Sequence, residues 1–160
     1  MIFVTVGTDQ PFDRLLRIID QWARENNRTD IFAQIGETKN PPTFIPYSKF
    51  LEPAEFAQRF ASASIIISHA GMGTILSALR WEKPILVMPR VASLGEQRNE
   101  HQMATARHLS ALGKVNVAFN DDELRAKLRR LDELTIKEKI AAFAGPELLS
   151  AIRGFIAETK

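Results

Sequence analysis

The 160-residue chain contains no cysteine. That excludes a disulfide framework and a thiolate metal site, and it fits a reducing, cytoplasmic setting. A single tyrosine is present and no basic run is interleaved with aromatic residues, so nucleic-acid binding is not expected. The formal charge of +2 and the pI of about 9.1 permit an anionic ligand or a membrane surface but require neither. No Asp-x-Asp pair occurs to organise a divalent ion, and His101 and His108 lie seven residues apart on one helical stretch, so no metal site or cofactor is expected. Long apolar runs are also missing. The opening MIFVTVGT carries no basic segment ahead of it and is interrupted within a few residues, so neither a secretory signal nor a membrane span is expected, and the chain is expected to be cytoplasmic.

What is present is an ordinary globular composition, 45% hydrophobic and 25% charged, in a length that suits one domain over residues 1–160 with its own core. Strand and helix patterns alternate along it. Ile2-Phe3-Val4-Thr5-Val6 reads as a buried strand, and Pro11 opens a helix whose apolar positions Phe12, Leu15, Leu16, Ile19, Trp22 and Ala23 recur at helical spacing. Ile31 to Ile35 is a second strand closed by Gly36. A KNPPT loop and a short extended piece around Phe44-Ile45 or Ser48-Lys49-Phe50 lead to a helix over 54–61. An Ile65-Ile66-Ile67 strand, a helix after Gly73, a strand over Pro84 to Met88 and a helix from about Asn99 to Leu112, ended by Gly113, come next. Val115 to Phe119 is a last strand. Asp121 is expected to cap a helix through Leu131, and one or two further helices follow, broken at Gly145-Pro146. The expected fold class is α/β, a doubly wound parallel sheet with helices on both faces.

In such a sheet ligands lie beyond the carboxyl ends of the strands, near the point where strand order reverses. Gly7-Thr8-Asp9-Gln10, His69 to Thr74 and Arg90 to Gln102 all fall there. Among them SHAGMGTILSAL, residues 68–79, places Gly71 and Gly73 between a buried strand and a helix. Small residues there allow a tight turn and close approach of a ligand, and the unpaired N–H groups of the helix start favour an anion. A plain strand-to-helix turn would use the same residues. Glu37, Lys39, Arg90 and Arg98 are charges expected near the cleft mouth, either solvated or touching an anion or a partner. Trp22 and Trp81 are expected to pack.

VTVGT, QIG, SKFLEP, SIIISHAGMGTILSAL, KPILVMPR and NEHQMATARHLSALG, in this order across residues 2–119, resemble the carboxy-terminal, nucleotide-sugar-binding half of GT-B glycosyltransferases, a Rossmann-like domain. At this length the chain is most similar to the soluble subunit of split, two-chain transferases, of which the eukaryotic lipid-linked N-acetylglucosaminyl transferase and bacterial capsule or exopolysaccharide pairs are examples. The resemblance implies a UDP-sugar donor, a lipid-linked acceptor, and a membrane-anchored partner homologous to the amino-terminal half. The chain would then sit peripherally at the inner membrane face. A nicotinamide dinucleotide module would need its glycine fingerprint after the first strand, where only Gly7 stands. An epimerase of related loops needs both domains.

Departure of a diphosphate accumulates negative charge that must be met by fixed donors. The donors expected are the amides of Gly71, Met72, Gly73 and Thr74, the Thr74 hydroxyl, and Thr8 across the cleft unless Thr8 caps the first helix, a role that Asp9 or Gln10 could take instead. His69 is a weak catalytic candidate, better suited to a structural or phosphate-facing hydrogen bond. The resemblance implies sugar-hydroxyl contacts from His101 and Gln102, and uracil contacts from the backbone of Phe50 and Leu51. Ser77 stands where related chains often carry an acid for the ribose, which makes Glu96 another ribose candidate; a chain that keeps the fold and has lost activity remains the alternative. No convincing general base is visible, so the partner is expected to supply it. The carboxy-terminal stripes Leu124, Leu128, Leu131, Leu148, Leu149, Ile152 and Phe155 either cover the sheet or dock the partner, and an unpaired docking face leaves the isolated chain open to homodimer formation.

Overall fold

The computed structural model describes residues 1–135 and Ser150. Strands β1 (Ile2–Thr5), β2 (Ile31–Gln34), β3 (Tyr47–Ser48), β4 (Ile65–His69), β5 (Ile85–Met88) and β6 (Asn116–Val117) form one sheet in the order β3-β2-β1-β4-β5-β6. Every pairing is parallel. Helices α1 (Asp13–Glu25), α2 (Pro53–Ser62), α3 (Met72–Arg80), α4 (His101–Ala111) and α5 (Asp121–Arg129) connect or follow the strands. The strand order reverses between β1 and β4, as in doubly wound dinucleotide folds.

Alternation along the strands divides the core in two. Ile2, Val4, Ile65, Ile67, Leu86 and Met88 face one layer, with α1 and the α5 residues Leu124 and Leu128. Phe3, Ile66, Ile85 and Val87 face the other, with Phe60 of α2, Ile75 and Leu79 of α3, and Ala106 and Leu109 of α4. Both faces are covered, so these strands are apolar at nearly every position. Leu131 joins the α5 stripe against the sheet, whereas Leu148, Leu149, Ile152, Phe155 and the expected break at Gly145-Pro146 lie outside the described residues.

Several element ends differ from expectation for local reasons. The first helix starts at Asp13, with buried Phe12 at its N-cap and no side-chain cap bond, so Thr8, Asp9 and Gln10 cap nothing. The last described α-helix is capped by Asn120, not Asp121. The Asn120 side chain accepts the Glu123 N–H at 2.9 Å, and the Glu123 carboxylate accepts the Phe119 N–H in return. The edge strand forms at Tyr47–Ser48, overlapping the second of the two pieces considered at Ser48. Trp22 is buried, but Trp81 closes α3 half exposed, edge-on to Phe60.

Two α1 carboxylates hold the long β2–β3 connection. Asp13 accepts from the side chains of Thr38 and Asn40. Asp20 accepts the N–H groups of Thr43, Phe44 and Ile45 at 2.8–3.1 Å. Burial alone would raise the Asp20 pKa, but the N–H groups of Ile45, Phe44 and Thr43 outweigh it and hold it below the usual 3.8. Asp20→Ala leaves those three donors without their carboxylate and is expected to cost about 2 kcal/mol or more. Urea unfolding checks this. Because the folded-state pKa is depressed, the difference between wild type and variant should be full above about pH 4 and shrink as the pH falls below it.

Candidate functional site

The carboxyl ends of β1, β4 and β5 bring three loops together at the strand-order reversal. His69 ends β4, Gly71 is the N-cap of α3, and Arg90 follows β5 by two residues. The N–H groups of Met72, Gly73 and Thr74 open α3, have no acceptor within the helix, and receive no side-chain cap. They are the groups from which the sequence leads one to expect anion binding, and the structure leaves them without a cap.

The two glycines of this motif serve different ends. A methyl group on Gly71 would lie 2.1 Å from Cε1 of His69, whereas one on Gly73 would meet nothing within 4 Å. Gly71 is therefore small to admit the imidazole, and Gly73 leaves open space above the helix start. Gly7 closes the other side of the same ring: its Cβ would lie 2.7 Å from Nε2 of His69, and its backbone is left-handed at φ +75°.

Arg90 is the residue that composition misjudges. Considered with the solvated charges, it is 1% exposed. Its guanidinium donates to the carbonyls of Val6, at 2.7 Å, and Gln10, approaches Nδ1 of His69 at 3.3 Å, and lies over the Phe12 ring. Its Nε is buried without a partner. Burial lowers its pKa to about 10, against the opposing pull of Asp9 and Glu96, and it stays cationic at neutral pH. The signal available in the sequence was its position directly after the buried strand and Pro89.

Gln102 is buried as well. Its Oε1 accepts the Arg90 backbone N–H at 3.2 Å, and its Nε2 lies 3.1 Å from Nδ1 of His69. Burial first and the Arg90 charge second push the His69 pKa down to about 4, against the opposing pull of the Gln102 side-chain contact and the charge of Asp9. The ring is thus neutral at physiological pH, which disfavours it as a general acid.

The remaining candidates are placed as follows. Thr8 is exposed on the loop beside Gly7. His101 begins α4, exposed at the cleft. Glu96 is not free for a ribose: its carboxylate binds Arg14 at 2.6 and 2.7 Å and accepts the Val91 N–H. Ser77 donates to the Gly73 carbonyl within α3. Phe50 and Leu51 lie past β3, on the β2 side of the sheet, away from the His69 cluster. There the Phe50 carbonyl accepts the Ser48 hydroxyl and the Leu51 N–H donates to Gln34 at 3.2 Å. Glu37 pairs with Lys49 at the surface, and Lys39 and Arg98 are exposed. A groove of about 690 Å³ runs along α1 between Asp13, Arg17, Arg24, Pro41 and Leu94, and includes none of the glycine-loop residues.

Residues 1–146 match the sequence model of the glycosyltransferase family 28 C-terminal domain. The chain is 41% identical over 76 residues to UDP-N-acetylglucosamine transferase subunit ALG13 of Eremothecium gossypii, a match that spans 47% of this chain and 36% of that relative's length. Among solved structures it resembles ALG13, with a TM-score of 0.60 at 20% identity over 89% of this chain and 90% of that one. It also resembles MurG of Acinetobacter baumannii, with a TM-score of 0.57 at 18% identity over 81% of this chain and 40% of that one. These structural likenesses establish the fold.

Gly71→Ala should expel the His69 ring and lower stability by about 1–3 kcal/mol, while Gly73→Ala should leave stability unchanged or raise it. Thermal unfolding of both variants distinguishes the two roles. His69 protonates near 6.5 when unfolded and near 4 when folded, so its contribution to stability is lost as the pH falls from 6.5 toward 4. His69→Gln should therefore lose less stability than wild type between pH 7 and pH 5 in urea unfolding.

Proposed function

We propose that this chain, which belongs to the glycosyltransferase family 28 C-terminal domains, is the donor-binding subunit of a two-chain transferase that uses a UDP-sugar. The carrying observation is the uncapped start of α3 at the strand-order reversal, open above Gly73 and flanked by Thr8 and His69. The N–H groups of Met72, Gly73 and Thr74 would meet the diphosphate, with the Thr74 hydroxyl as a further donor, and the α3 dipole favours the charge that grows there as the bond to the sugar breaks. An acceptor hydroxyl attacks the anomeric carbon, the diphosphate leaves, and the hydroxyl proton passes to a base.

A partner chain would supply that base, the acceptor site and the membrane attachment. That the named relative is a transferase subunit supports a partner. Among the described residues no helix is long and apolar enough to cross a membrane. The acceptor we favour is a lipid-linked saccharide at the cytoplasmic face, and the sugar a hexose type.

Calorimetric titration of the purified chain with UDP, UDP-N-acetylglucosamine, UDP-glucuronic acid, UDP-galactose and NAD tests the assignment. UDP and at least one UDP-sugar should bind and NAD should not. Gly73→Asp sets a carboxylate against the helix start without a steric clash, and should weaken UDP binding by about tenfold or more. Preference for NAD, or failure of UDP to bind even with the partner co-expressed, would overturn it. Donor binding without transfer in the complete complex would instead identify a regulatory subunit that has lost activity.

A further inference from the structure

We propose that Gln102 and Arg90 are positioning residues that hold His69 as the neutral imidazole with its proton on Nε2, so that this one fixed donor faces the anionic ligand. For the identity of that ligand the proposal rests on the donor-site assignment above; for the tautomer it does not.

The orientation of the Gln102 amide is set by a group that can only donate. The Arg90 backbone N–H lies 3.2 Å from one end of the amide, so that end is Oε1, and Nε2 is turned to the imidazole. Were the amide reversed, its oxygen would favour an imidazolium. With Nε2 at 3.1 Å and an Arg90 guanidinium nitrogen at 3.3 Å, two donors converge on Nδ1 of His69. That nitrogen must present its lone pair, which leaves the proton on Nε2.

The Nε2 edge emerges between two residues that lack side chains. Cβ atoms built on Gly7 and Gly71 would lie 2.7 Å from Nε2, so the ring is seated in the slot between the β1–α1 loop and the start of α3. The Met72, Gly73 and Thr74 amides open beside that slot. His69 is part-exposed, whereas Gln102 is 7% exposed with its amide turned inward.

The groups facing the ring are consistent with a neutral state. Arg90 approaches from the β5–α4 loop, and the positive end of α3 lies alongside. Asp9, on the β1–α1 loop, opposes them, while Glu96 acts on Arg90. From α4 the ring meets the uncharged Gln102.

Long-range ¹H–¹⁵N spectra of the full chain without ligand, with His69 assigned by the signal lost in His69→Gln, test the tautomer directly. Nδ1 should show the shift of a bare lone-pair nitrogen and Nε2 that of a protonated one, unchanged from pH 8 to pH 5. A proton on Nδ1, or titration of the wild-type ring near pH 6.5, overturns the proposal. Gln102→Glu replaces the donor by a carboxylate, and should move the proton to Nδ1 or make the ring titrate within that range.

Gln102→Met, of similar shape and without donors, serves as a second variant if Gln102→Glu does not fold. Both should weaken binding of UDP itself by about tenfold, since they disturb a diphosphate donor. A Gln102 that reads sugar hydroxyls would leave UDP affinity unchanged and alter only the discrimination among UDP-sugars, and that result overturns the positioning role. If wild type binds no UDP, the donor assignment fails and the spectra alone decide the tautomer.

Discussion

A guanidinium taken out of water must find acceptors for its N–H groups, and those that Arg90 finds are what assemble the site. They come from the carbonyls of Val6 and Gln10 and from the His69 ring, residues of the first and fourth strands and their following loops. The Arg90 backbone N–H is meanwhile taken by Gln102 on α4. One buried cation therefore ties three strand ends and a helix together, where parallel strands alone would leave their loops free.

A second arginine braces the same loop from the other side. Arg14 binds both oxygens of Glu96, an oxygen of Asp121 and the Pro89 carbonyl, so the segment after β5 is held between α1 and α5. Both guanidiniums lie over the ring of Phe12, which is buried at the N-cap of α1. That position is poor for capping and good for packing a cation. With the loops fixed in this way, the α3 amides and the His69 edge are presented on a preorganised wall, as anion stabilisation requires.

Much of the fold was legible because periodicity reports burial. Ile65-Ile66-Ile67 and Ile85 to Met88 had to be strands covered on both faces, and the Leu124, Leu128, Leu131 spacing had to be one face of a helix. The strand ends at Val6 and Ile35 were less legible, since both are buried and apolar yet lie past the last ladder residues Thr5 and Gln34. Asp121 and Asn120 are equally good caps by residue type, and the choice fell to Asn120 because Glu123 then stands three residues on to complete the reciprocal pair.

The sequence by itself determined the alternation of strands and helices, the parallel sheet, and the glycine loop at a strand end, because each depends on residues close together in the chain. It took the tertiary structure to show that Gly71 makes room for an imidazole while Gly73 borders open space, that Glu96 belongs to Arg14, and that Arg90 is buried. The reason is physical. Whether a charge is solvated or buried depends on acceptors that only folding brings to it, and for Arg90 these stand at positions 6 and 10, across the strand-order reversal, and at position 69 on the neighbouring strand.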